Sequence, residues 1–166
     1  KVESKVESKV KSEVELEVES KIESKAETSN GQRIAGMVRI STIESILAKD
    51  SLYFTDEDRN LVVDAILKTL DKGEVDAVII IHGTDTMTLT ADFVRQKIQL
   101  VQVPVIFTGA MKPMGFEDSD ALQNVTESLM ASRLSGSGFY LCFHGRVFKV
   151  PFVRKDRDKG TFSSTE

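Results

Sequence analysis

Val78-Ile79-Ile80-Ile81 runs without a break into His82-Gly83-Thr84-Asp85-Thr86-Met87, so a wholly apolar stretch ends in a glycine, two hydroxyls and a carboxylate. Two threonine hydroxyls flanking a carboxylate can hold, orient and deprotonate a small polar molecule. The apolar run reads as a strand buried on both faces. Its polar continuation then falls at the C-terminal edge of a sheet, where open α/β sheets bind their ligands. The same residues have a purely structural reading, in which Thr84 or Thr86 caps the next helix and Asp85 complements its dipole.

The elements that would carry this cluster follow from the flanking pattern. Val38, Ile40 and Thr42 alternate with polar neighbours towards Ile46, which predicts a strand delivering the loop Lys49-Asp50-Ser51. Thr55 with Asp58 is a capping-box-like start, and Leu61, Val62, Ala65, Ile66 and Leu70 make a helical stripe that Gly73 closes. Val75 to Ile81 is the next strand, and Met87 to Ile98 a helix with Leu89, Phe93 and Val94 inward. Val103 to Phe107 repeats the strand pattern, Asp118-Ser119-Asp120 opens a helix through Leu134, and Phe139 to Phe143 is strand again. Strands alternating with amphipathic helices at this spacing predict right-handed βαβ units. The fold class is α/β, a three-layer, doubly wound, mostly parallel Rossmann-like sheet.

Composition bounds the function. The 166 residues suit one globular domain, 40% are hydrophobic, and 22 basic against 26 acidic residues leave a net charge of −4. The folded part has no basic stripe, so no nucleic-acid partner is expected. No apolar run approaches about 18 residues, so no membrane span is expected, and no signal-peptide pattern is present. Cys142 is the single cysteine; inside a strand-like run it reads as buried filler, and its solitude fits a reducing compartment, with the cytoplasm as the default.

Residues 1–30 are of another kind. From Lys1 to Thr28 every odd position is Lys or Glu, and the even positions are apolar or small and hydroxylic, built on a KVES tetrad. A four-residue repeat drifts about 40° per tetrad around a helix, so Val2, Val6, Val10, Val14, Val18 and Ile22 never form one face. Like charges also recur at i,i+4, while a strand of this length is several times longer than usual. The segment therefore reads as a low-complexity arm over 1–30, with the globular domain over 31–166. The chain opens in mid-repeat without an initiator methionine, which leaves open whether it is a fragment or carries an arm in place of a lost segment.

His82-Gly83-Thr84-Asp85-Thr86-Met87, continued by Thr90-Ala91, resembles the second-threonine HGTDT signature of the L-asparaginase family. Pro104 to Pro113, reading PVIFTGAMKP, is similar to that family's PVVLTGAMRP segment. Gly138 to Lys155 resembles the segment that ends in its catalytic lysine, and Lys49 to Asp56 the loop that carries its substrate-binding serine. The four matches lie in the family's order over about residues 38–163, at a length similar to short single-domain members. What the resemblance implies is hydrolysis of the side-chain amide of asparagine, or of glutamine, through a covalent acyl-enzyme. It assigns Thr84, Asp85 and Lys155 to a proton-handling triad, Ser51, Gly83 and Asp85 to substrate binding, a small amino acid as substrate, and a homo-oligomer as assembly. A hydroxyl is a poor nucleophile until a base takes its proton, a buried lysine can join such a relay, and Asp85 can bind an α-ammonium. Backbone N–H groups near Gly83 can face an oxyanion.

The chain also departs from the family. No TGGTI segment, the usual site of the nucleophilic threonine, occurs in these 166 residues, and the sheet is expected to lack the usual first strand. Neither the tyrosine of the family's first loop nor the glutamates that larger members draw from a second domain have counterparts. A catalytically impaired amino-acid-binding domain is therefore the alternative to a working hydrolase. A phosphoacceptor domain is disfavoured, since it needs an acidic pair after the first strand. Without the resemblance, Lys155 would read as part of a solvated charge run, Arg154 to Lys159. His82 reads as a structural hydrogen-bonder, His144 as a residue able to line the site, Lys112-Pro113 as loop, and Asp118 and Asp120 as helix caps. The two histidines share no metal-ligand spacing, and neither metal nor cofactor is expected.

Overall fold

A computed structural model describes residues 38–73 and 75–166, and it divides the chain into two units, 1–44 and 45–166. The expected arm over 1–30 and the place of a first strand lie outside the described residues. Within the first unit, residues 38–44 carry no regular structure, and Val38, Ile40 and Ile43 are exposed. The strand expected from Val38 towards Ile46 is thus not formed over its described length. Alternation marks a face that could be buried, but a strand also needs a ladder partner, and none among the described residues reaches these positions.

The second unit begins with a 3₁₀ turn, Ser51–Tyr53, followed by α1, Asp56–Asp71. The capping box forms as read: Thr55 accepts from the Asp58 amide and the Asp58 carboxylate from the Thr55 amide. Strand β1 is Val78–Ile81, α2 Met87–Ile98, β2 Pro104–Thr108, α3 Ala121–Leu134 and β3 Gly138–Phe143. Strand β4, Arg146–Lys149, is the return of a hairpin, and β5, Val153–Asp156, pairs with β6, Thr161–Ser164, in a separate two-stranded ribbon. The main sheet has the order β1-β2-β3-β4; its first three strands are parallel and β4 is antiparallel.

Strand periodicity decides the layers. Ile80, Val105, Phe107, Phe139, Leu141 and Phe143 face Val62, Val63 and Ile66 of α1 and Met87, Ala91 and Val94 of α2. Ile106 and Cys142 face Ala131 of α3 on the opposite side, with Ile79 and Tyr140 beside them. The result is a three-layer α/β fold with a mostly parallel sheet. Two inward assignments fail: Leu61 and Leu89 are exposed, because Val63 and Thr90 take the buried positions of their helices.

The handedness also departs from expectation. Both crossovers, β1-α2-β2 and β2-α3-β3, step in the same direction across the sheet, yet α2 and α3 lie on opposite faces. Two steps in one direction with helices on opposite faces must have opposite hands. One of the two connections is therefore left-handed, against a strong general preference.

The β5–β6 ribbon is fastened to the main sheet by Phe162, which is fully buried and meets Phe143 edge-on at 4.9 Å between ring centres. Burying one such ring contributes about 1.5–3 kcal/mol. Phe162→Ala is expected to cost roughly 3–5 kcal/mol, transfer and cavity together. Urea unfolding measures it, and a loss below about 1 kcal/mol would mean that the ribbon is held by other contacts.

Candidate active site

The cluster after β1 is built by close backbone packing. His82 N donates to Thr108 O at 2.8 Å, extending the β1–β2 pairing beyond the strand. A Cβ at Gly109 would stand 2.1 Å from His82 O, so the loops leaving β1 and β2 pass main chain against main chain. Gly83 is similarly constrained, since a Cβ there would lie 2.4 Å from Ser51 Oγ. Thr86 sits at the N-cap position of α2 without capping it. Its hydroxyl donates to Ser51 O at 2.6 Å, drawing the 3₁₀ turn onto the loop.

Into this corner β5 brings Lys155. Its Nζ donates to Thr84 Oγ1 at 2.8 Å and to Asp85 Oδ1 at 2.9 Å, across 71 and 70 residues of sequence. Arg157 Nη1 reaches the same Oδ1 at 3.2 Å. The hydrogen bond from Lys155 holds the Asp85 carboxyl below the usual carboxylate range; desolvation opposes it, and the charges of Lys155 and Arg157 add to it. Both cations use Oδ1, and Oδ2 accepts from neither of them.

Thr84, Asp85 and Lys155 are therefore together, with Gly83 beside them. Ser51 is next to them but only 3% exposed, packed under Gly83 and tied to Thr86 through its carbonyl. Arg157 is the residue that sequence reasoning missed. An extended reading of Arg154 to Arg157 puts positions 155 and 157 on one face, and that signal was available in the charge run.

His82 donates from Nδ1 to Gly83 O at 2.7 Å and meets Phe54 edge-on, which matches its reading as a structural hydrogen-bonder. His144 does not join Thr84, Asp85 and Lys155; its side-chain partners are Asp120 and Thr161. Asp120 holds the N-cap position of α3 but does not cap it. Its carboxylate accepts instead from the amides of Met111 and Lys112 in the loop after β2. Asp118 pairs with Lys112 and likewise does not cap.

A family model described as Asparaginase, N-terminal, matches residues 3–165. The chain belongs to the asparaginase family. It is 32% identical over 115 residues to an L-asparaginase of Thermococcus kodakarensis, a match covering 69% of this chain and 34% of that protein. To an L-asparaginase of Bacillus licheniformis it is 26% identical over 108 residues, covering 63% of this chain and 33% of that one. The structure of the thermostable L-asparaginase from Thermococcus kodakarensis aligns with a TM-score of 0.63 at 28% identity, over 72% of this chain and 36% of its own. The chain thus spans about a third of the length of these asparaginases.

Burial holds the His82 imidazole below its ordinary value of 6.5, with the Gly83 carbonyl opposing and the Arg59 guanidinium adding to the shift. The unfolded chain then binds this proton first on acidification. Its contribution to stability is complete above pH 6.5 and is lost as the pH falls from there towards the lower folded value. Thermal unfolding midpoints measured from about pH 7.5 to 5 should fall in the native protein and fall less in His82→Gln. Equal slopes for the two proteins would show that His82 does not carry the acid sensitivity.

Proposed function

We propose that this chain carries the proton-handling part of an asparaginase-type amidohydrolase, which converts the side-chain amide of asparagine, or of glutamine, to the acid and ammonia. The observation that supports the reading best is the Lys155 ammonium position, 2.8 Å from Thr84 Oγ1 and 2.9 Å from Asp85 Oδ1. Amide hydrolysis needs one proton removed from the attacking hydroxyl or water and one delivered to the leaving nitrogen. In its neutral amine form, a lysine in contact with Thr84 receives a proton from that hydroxyl, becomes the ammonium paired with Asp85, and delivers the proton to the leaving nitrogen, which departs as ammonia. Asp85 compensates the ammonium charge during the transfer, and its second oxygen binds the α-ammonium of the amino acid by a charge-assisted bond. Ser51 supports the loop and contributes to the substrate pocket, and the backbone around Gly83 faces the developing oxyanion. The partner is a small amino acid, the assembly a homo-oligomer and the compartment the cytoplasm.

A second reading is favoured by one feature of the sequence. The residues of a TGGTI segment are not found in these 166 positions, so the acyl-accepting threonine of the usual two-threonine mechanism has no counterpart here. On that reading the chain binds the amino acid through Thr84, Asp85 and Ser51 without turnover.

Ammonia release from asparagine separates the two. The hydrolase reading expects Thr84→Ala to lower the rate by roughly 10²–10⁴-fold, whereas equal background from both proteins, with calorimetric binding of aspartate, would leave only the binding module. Lys155→Ala should abolish turnover while the fold, followed by circular dichroism, persists. Full activity in that variant would remove Lys155 from the relay.

A further inference from the structure

A second hydroxyl, remote from Thr84 in sequence and on the other face of the β5–β6 ribbon, stands at the end of an acid–imidazole chain. His144 Nε2 lies 2.8 Å from Asp120 Oδ2, and His144 Nδ1 lies 3.0 Å from Thr161 Oγ1. Three elements supply the three residues: the start of α3, the β3–β4 turn and the first position of β6.

The proton positions follow from the partners. Desolvation pushes the Asp120 carboxyl up, but the Lys112 and Met111 amides and the His144 imidazole outweigh it and hold the group below the usual range. An ionised carboxylate only accepts, so the imidazole in its neutral form carries its proton on Nε2. Its Nδ1 is then a lone pair, and the Thr161 hydroxyl is the donor across the remaining gap. A hydroxyl whose proton points into an imidazole that a carboxylate orients is the arrangement that makes an alcohol nucleophilic.

The base is also held still. His144 has φ +47 and Gly145 φ +73, the two positive values of a tight hairpin turn. His144 N donates to Asn124 Oδ1 at 3.0 Å, Gly145 N to Glu127 Oε2 at 2.6 Å, and the imidazole leans on Phe143 at 4.5 Å between ring centres. Thr161 opens on a cleft of about 460 Å³ lined by His144, Arg146, Lys159, Thr161, Phe162 and Ser163. Arg146 and Lys159 are exposed cations on its wall; Lys159 also approaches Asp156 at 3.4 Å.

We propose that Thr161 is the nucleophile of a second acyl-transfer centre, with His144 as its base and Asp120 as the group that orients the base. Its substrate class is an ester whose acyl part carries a negative charge, bound by Arg146 and Lys159. Thr161 Oγ1 forms a bond to the acyl carbon as its proton passes to His144 Nδ1. The ester C–O bond breaks, and the alcohol leaves with that proton. Water then attacks the threonyl ester, giving one proton to His144, which returns it to Thr161 Oγ1 as the carboxylic acid departs. The sum is ester plus water to acid plus alcohol.

The test uses p-nitrophenyl hemisuccinate and its uncharged analogue p-nitrophenyl butyrate with the full chain. Nitrophenolate release above buffer is expected, faster from the hemisuccinate, and reduced roughly 10²–10⁴-fold in Thr161→Val and in His144→Gln. Arg146→Ala should raise KM for the hemisuccinate and leave that for the butyrate in place. Thr161 Oγ1 should displace fluoride from a fluorophosphonate, its proton passing to His144, and the phosphonyl adduct should appear on the peptide containing Thr161, a result that depends on no variant folding. Release unchanged in Thr161→Val overturns the proposal. So does the absence of both release and adduct in the native protein, and the three residues would then be a structural tie between α3 and the ribbon.

Discussion

The C-terminal edge of the sheet is governed by how closely its exiting loops can approach one another. His82 O stands where a side chain on Gly109 would have to be, and Ser51 where a side chain on Gly83 would have to be. At Gly109 only bare backbone can pass the His82 carbonyl, and at Gly83 only bare backbone can pass the Ser51 side chain. Thr84 and Asp85 follow directly from Gly83, so their positions are inherited from that packing. The hydrogen bonds from Thr86 to Ser51 and from His82 to Thr108 then complete the corner from two sides.

Against this fixed edge the lysine is placed by non-local folding. Lys155 lies outside the main sheet, on a two-stranded ribbon that would be marginal alone in water. Phe162 docks the ribbon by burying its ring against Phe143, and the pairing of Lys155 with Phe162 puts both on the same face. The apolar anchor and the ionic contact to Thr84 and Asp85 therefore come from one register. Shifting that register by a residue would put Lys155 and Phe162 on opposite faces, so docking the phenyl ring is compatible with the contact to Thr84 and Asp85 in this register only.

The sequence made local structure legible where the physics is local. The Thr55–Asp58 box, the bounds of α2 and the buried run into His82 are all set by neighbours within a few positions. It was legible less well where a side chain chooses between a local and a distant partner. Asp120 and Thr86 both occupy N-cap positions, yet one turns to the amides of the 111–112 loop and the other to Ser51 O. Nothing within a few residues distinguishes these options. The opposite hands of the two crossovers are invisible for the same reason, since alternating strands and helices read alike whichever face a helix takes. Thr84, Asp85 and Lys155 were found together only because the family resemblance carried long-range information that residue types do not.

The same alternation that directs Lys155 towards Thr84 directs its neighbour the opposite way. Asp156 pairs with Thr161, so Thr161 lies on the face opposite Lys155 and meets His144. Thr161 thus sits on the ribbon face opposite the Lys155 that meets Thr84. Asn124 joins the His144 turn to the main site: its amide nitrogen donates to Gly109 O and Asp120, and its oxygen accepts from His144 N. Gly109 in turn packs on His82. The turn that carries His144 and the loop that bears Thr84 are therefore connected through Asn124, Gly109 and His82.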